Sequence, residues 1–359
     1  MSIKHNKINT GTIGFFNFAR GCGLFYVVVC HTLLYFYTIT SRLFFNLGAG
    51  LMAMFFIISG YGFWIKNTKK CLRVQCKLLL KPYFIIVCLI LLAKFGLSIT
   101  KHRSFWQFGG QYIFSYLLAV NEGWEGTILG LEVDHISLFW FFWALFGGWI
   151  IYNTISHIKK EKIHTCLVIC CVLMGWILTR ISEVWVYTLP NMLIIVGFLF
   201  IGHQMREHQW LEKEKLTALE YLLLFVPAFI TLAFGQCDMF SFTWSLGPLD
   251  ILGSACLGIL YCRFFAKLSL LKRKSKIMDF MQYIGSNTLR LLCIHAFEEK
   301  VVPWYRLGYL FPGKTYFAAI ICFVLRGAVI LISLKLIEFI NKVIKRKRWR
   351  RSRLPIAVE

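Results

Sequence analysis

The chain has 359 residues, of which 58% are hydrophobic, 17% aromatic and only 16% charged, yet its formal net charge is +23. Apolar runs of roughly 20 residues, the length a helix needs to cross a bilayer, recur along it, which excludes a soluble globular enzyme; a membrane β-barrel would show short alternating segments instead. No polar stretch is long enough for a separate soluble domain, so residues 1–359 read as a single all-α, polytopic membrane bundle with a basic tail at 345–359.

The hydropathy pattern predicts ten membrane spans, near 13–38, 44–65, 79–100, 137–156, 164–181, 189–207, 216–235, 242–266, 282–301 and 315–343. The first run is too long for a signal-peptide core and ends without a small-residue cleavage pattern, so it reads as a retained helix. Segment 105–120 is apolar and aromatic but contains Gly109-Gly110, which fits an interfacial or re-entrant piece. The long loop 101–136 gathers Glu122, Glu125, Glu132 and Asp134, while Trp106, Trp124 and Trp304 have the composition of interfacial anchors. Thirteen cysteines are scattered through apolar segments without a CxxC pair, which reads as buried apolar packing rather than a disulfide or metal framework.

Lysine and arginine set the expected orientation. Most of the 40 basic residues fall in alternate connections: Lys4 and Lys7; Lys66 to Lys81; Lys159 to Lys162; Arg206 to Lys215; Arg263 to Lys276; and Lys335 to Arg353. Both termini are therefore expected in the cytoplasm of a multi-pass protein of the plasma or inner membrane, which requires an even number of spans. The charge is topological, and the run from Lys345 to Arg353 also suits anionic lipid head groups; nucleic acid is not an expected partner.

Ionisable residues inside spans are costly and mark function. Arg20 and His31 lie in the first span, ten residues apart. On a helix they stand about 20° apart around the axis and about 16.5 Å apart along it, on one face. With the N-terminus inside, Arg20 lies in the inner half and His31 in the outer half. His295 in span nine reaches a similar depth to His31, Asp250 lies in the outer half of span eight, and Arg290 and Arg326 are deep in spans nine and ten. A histidine can take a proton from a hydroxyl and return it, and a carboxylate on its other nitrogen fixes the tautomer. Asp250, Asp134 and Glu298 are the candidates for that carboxylate. His31 and His295 have no third obvious metal ligand, so no metal is expected. No phosphate-cradling loop, serine elbow or zinc-protease signature appears.

Several segments together resemble a known family. The Arg20-x10-His31 spacing resembles the first-helix motif of the membrane acyltransferase-3 family. Phe55-Phe-Ile-Ile-Ser-Gly-Tyr-Gly-Phe63 is similar to its second helix, and Lys69 to Pro82 is similar to its basic stretch leading to a proline. Leu138-Phe-Trp-Phe-Phe-Trp-Ala-Leu-Phe146 resembles a helix of its smaller sugar O-acetyltransferases, and Ile284-Gly-Ser-Asn-Thr-Leu289 followed by His295 resembles its C-terminal element.

The resemblance implies transfer of an acyl group, usually acetyl, from cytoplasmic acetyl-CoA to a hydroxyl of a cell-surface polysaccharide or lipid-linked sugar. It implies His31 as the catalytic histidine, Arg20 as its partner in the motif, and Arg73 as a cytoplasmic contact for CoA. Lys77 and Lys81 continue that basic stretch where arginines are commoner, which replaces bidentate phosphate contacts with point charges. A transporter or flippase of a lipid-linked glycan is the rival reading, since ten spans with central charges suit it too.

Overall fold

The computed structural model describes residues 10–38, 41–101, 111–120, 126–128, 131–133, 136–211, 213, 215–271 and 275–351. Seven described helical runs are long and apolar enough to cross a membrane. These are α2 (Arg42–Tyr61), the run Thr68–Thr100 comprising α3 (Thr68–Gln75) and α4 (Lys81–Thr100), and Ser137–Ile155, which contains α6 (Trp140–Ile155). The others are α7 (Glu161–Ile181), Val186–Glu207 containing α8 (Leu189–Glu207), α10 (Pro248–Leu271) and α14 (Thr315–Arg351). The short α5 (Gln111–Leu118) lies between α4 and α6.

The three remaining expected spans are occupied by helices with local peculiarities. Helix α1 (Thr10–Leu33) has 24 residues, but Asn17, Arg20 and His31 dilute its apolar character. Helix α9 (Ala218–Phe234) has 17 residues and starts on a capping box, in which Thr217 accepts from the Glu220 N–H and the Glu220 carboxylate accepts from the Thr217 N–H. The ninth expected span, 282–301, is not one helix. It breaks at Asn287 into α11 (Lys276–Ser286) and α12 (Thr288–Val301), because Gly285-Ser286-Asn287 are weak helix formers and Asn287 turns its side chain back onto the Tyr283 carbonyl. The eighth begins later than expected, since residues 237–244 form a short hairpin of β3 (Cys237–Asp238) and β4 (Thr243–Trp244) before Pro248 opens α10. A second hairpin pairs β1 (Gly126–Ile128) with β2 (Leu131–Val133). After the one-turn α13 (Leu307–Leu310), helix α14 runs past the predicted end of span ten to Arg351.

The helices form an inner and an outer layer. Helices α2, α6, α8 and α10 bury most of their apolar windows, whereas α4, α7, α9 and α14 leave large apolar side chains such as Leu92, Ile169, Phe229 and Ile332 exposed. Those exposed faces are what a lipid-facing surface requires. In the inner layer small residues allow close helix approach. A Cβ at Gly202 would fall on the Ile57 carbonyl oxygen, and one at Gly60 on the Leu199 carbonyl, which locks α2 to α8. Helix α11 docks on α1 in the same way: a Cβ at Gly21 would overlap the Met281 carbonyl, and one at Gly285 would overlap that of Asn17. All thirteen cysteines are free thiols.

Candidate active site

Helix α1 carries both of the residues singled out in its sequence, and each lines a different cavity. The first cavity, of about 470 Å³, is bounded by Arg20, Leu24, Phe55, Ser59, Gln75 and Leu292, among others. Its lining is mostly apolar, and among the described residues Arg20 is the charged side chain that reaches it. Among the described residues Arg20 makes no hydrogen bond or ion pair. A guanidinium so placed in a membrane bundle is suited to an anionic or carbonyl group of a ligand.

The second cavity, of about 330 Å³, is bounded by His31, Glu299, Ser137 and Asp238 together with Tyr26, Tyr35, Phe44, Phe45, Trp140 and Phe240. The two cavities share four lining residues, Val27, Met52, Leu138 and Trp140.

Behind His31 lies a buried polar cluster formed by α1, α12 and α14. His31 Nδ1 is 3.5 Å from the Glu299 carboxylate, whose other oxygen accepts from Ser137 Oγ at 2.6 Å. Ser137 is held at a φ of +51°, an uncommon conformation for a non-glycine residue, and the turn Ser137–Phe139 that it opens leads directly into α6. The His31 and His295 rings meet edge to face with centroids 5.5 Å apart.

His295 is fully buried and donates from Nδ1 to Glu298 at 2.7 Å, while its Nε2 has no hydrogen-bond partner among the described residues. Arg326, also fully buried, donates to Glu298 from Nε at 3.0 Å and from Nη2 at 2.7 Å, and to Thr32 Oγ1 at 3.4 Å. Its Nη2 lies 3.9 Å from Glu299, and its guanidinium stands over the Tyr35 ring. The Trp304 indole N–H donates to the second Glu298 oxygen. Two carboxylates thus face one permanent cation and two histidines, and every Glu298 lone-pair direction in use points at a named donor.

These partners correct several expectations. Asp250 is not an orienting carboxylate for either histidine. It accepts from the Leu246 N–H at 2.7 Å and from Ser245 Oγ at 3.2 Å, where it secures the turn that opens α10. Asp134 lies outside the described residues. Glu298 does orient a histidine, but that histidine is His295. Trp304 is buried against Glu298 and is not an interfacial anchor; Trp106 and Trp124 lie outside the described residues. Arg290 is exposed and bonds Asn287 at the helix break, whereas Arg326 is fully buried.

Arg73, Lys77 and Lys81 are exposed on α3, on the following π-helical stretch Cys76–Leu80 and at the start of α4. They do not line the first cavity, but Gln75, Leu78 and Leu79 from the same segment do. His31, His295 and Glu299 each place a potential ligand atom within 4.8 Å of the others, so Glu299 is a third group near the two histidines that the sequence did not bring together with them. Arg326 already brings a positive charge to the same Glu299 oxygen.

The sequence comparison assigns the chain a family: the family model of an acyltransferase domain matches residues 13–333. The chain belongs to the acyltransferase-3 family. No curated protein matches it, and no solved structure does. It is accordingly a multi-pass membrane acyltransferase, and the transporter reading falls away. In this acyltransferase the sequence did not reveal Glu299, Ser137 or Thr32 as part of the site. The missed signal for Glu299 was helical spacing: Glu298 and Glu299 stand three and four residues beyond His295, on its face of α12.

Proposed function

We propose that this acyltransferase moves an acetyl group from cytoplasmic acetyl-CoA to a hydroxyl of a cell-surface polysaccharide or lipid-linked sugar, with His31 as the general base. One observation carries the reading. Arg20 and His31 share a helix face yet open into two chambers that meet at four side chains, so donor and acceptor have separate rooms with a common wall.

In this reading both termini are cytoplasmic and the first chamber opens toward the cytoplasm. The nucleotide end of CoA stays at the exposed basic rim of Arg73, Lys77 and Lys81, and the pantetheine arm runs past Arg20. The acceptor enters the second chamber, whose aromatic walls suit the apolar faces of a sugar ring and whose Asp238 suits its hydroxyls. His31 takes the hydroxyl proton as the oxygen attacks the thioester carbonyl. The C–O bond forms and the C–S bond breaks. The sulfur leaves as a thiolate and recovers the proton to give free CoA. Glu299 supports the imidazolium that forms on the way, and Ser137 fixes Glu299.

The test uses membranes containing the protein and labelled acetyl-CoA. His31→Ala abolishes acetyl transfer to endogenous glycan, and Arg20→Ala raises the acetyl-CoA concentration needed for half-maximal rate. Full activity in His31→Ala would refute the assignment.

A further inference from the structure

Among the described residues the two chambers meet at four side chains, and these are drawn from three segments. Val27 comes from α1, Met52 from α2, and Leu138 and Trp140 from the Ser137–Phe139 turn and the start of α6. Leu138 and Trp140 are buried, and Trp140 is packed edge-on against the fully buried Phe56 and against Phe141. The turn that carries them is pinned by the Ser137–Glu299 hydrogen bond. Three of the four are therefore branched or ring side chains with few accessible rotamers. Met52, partly buried and unbranched, is the pliable one.

We infer that this septum of Val27, Met52, Leu138 and Trp140 is the acyl-length filter of the enzyme. The inference rests on the proposed function above and deepens it by naming what limits the donor. A thioester approaching from the Arg20 chamber reaches His31 only with its acyl group lying between these four side chains. An acetyl methyl is the smallest group the position must hold, and each further methylene has to displace a wall held by Phe56 on one side and by Glu299 through Ser137 on the other. A hydrophobic pocket rejects one extra methylene by roughly 10- to 200-fold. Met52→Ala removes three heavy atoms from the pliable side of the wall, enough for the two methylenes that separate butyryl from acetyl. The polar groups that carry out the reaction are untouched by that change.

The experiment measures transfer from radiolabelled acetyl-, propionyl- and butyryl-CoA to endogenous glycan in membranes bearing the wild-type protein, Met52→Ala, or the isosteric control Met52→Leu. The wild type is expected to prefer acetyl, Met52→Leu to keep that preference, and Met52→Ala to raise the butyryl-to-acetyl ratio at least tenfold. Trp140→Phe, which trims the opposite wall while keeping a ring against Phe56, raises the same ratio and serves should Met52→Ala fail to accumulate. Acetyl transfer with a ratio unchanged in both variants overturns the filter and leaves the proposed function standing. Equal use of all three donors by the wild type overturns it as well. No transfer from any donor by the wild type overturns the proposed function, and the filter with it.

Discussion

Replacing Glu299 by glutamine removes a charge and keeps the shape. In the wild type the Glu299 carboxylate lies 3.5 Å from His31 Nδ1, and Ser137 holds its other oxygen at 2.6 Å. With His31 as the proposed base, the imidazolium formed on proton transfer gains about 5 kcal/mol of Coulomb attraction at that distance with an effective dielectric constant of ~20. His31 is 24% exposed and Glu299 13%, so solvent screening leaves roughly half of this, about 2–3 kcal/mol. That stabilisation exists only once the proton has moved, so its loss appears in kcat rather than in KM. The expected fall in kcat for Glu299→Gln is roughly 30- to 160-fold. The assay is initial-rate acetyl transfer in membranes at saturating acetyl-CoA. Because the two residues act as a unit, His31→Gln combined with Glu299→Gln is no slower than His31→Gln alone. A Glu299→Gln enzyme within threefold of wild type, or a double variant with fully additive losses, would refute the reasoning.

Arg326→Met leaves the buried Glu298 without its strongest donor, and breaking such a pair costs about 3–5 kcal/mol, so the variant unfolds at markedly lower temperature in a detergent thermal-shift measurement. Replacing Arg326 and Glu298 together by Met and Gln recovers part of that loss. Gly285→Val drives side-chain atoms into the Asn17 backbone and separates α11 from α1; it lowers both thermal stability and activity, since Gly285 also lines the Arg20 chamber. With histidine as the base, incubation with a strong chelator leaves the rate of acetyl transfer unchanged, whereas loss of activity restored by added zinc would instead assign His31, His295 and Glu299 to a metal.

The helical membrane bundle and the places of most of its long helices were legible because crossing a bilayer demands a length of apolar sequence that little else requires. Arg20, His31, His295 and Arg326 stood out for the same reason: a polar group in such a run needs a purpose. What the sequence concealed were relations between segments. Glu299 sits beside Glu298 near the end of an apolar run, where acids are common, and only the packing of α12 on α1 brings it to His31. Ser137 joins the site through a positive φ that no local pattern announces. Asp250 looked similar to Glu298 in depth and charge, yet nearby N–H and O–H donors at the start of α10 claim it. The break at Asn287 was masked by the apolar residues on either side, although Gly285-Ser286-Asn287 carried the signal.

The cross-link made by Arg326 ties Thr32 of α1 to Glu298 of α12 through a side chain of α14. Thr32 and Arg326 are 294 residues apart in the sequence, so the centre is built only when α14 meets α1. During synthesis a nascent chain that has inserted α1 already displays His31, but without Glu299 behind it or Arg326 to steady the cluster. Competence for chemistry therefore arrives as an assembly checkpoint, and a half-made protein in the membrane has no organised centre with which to consume acyl donor.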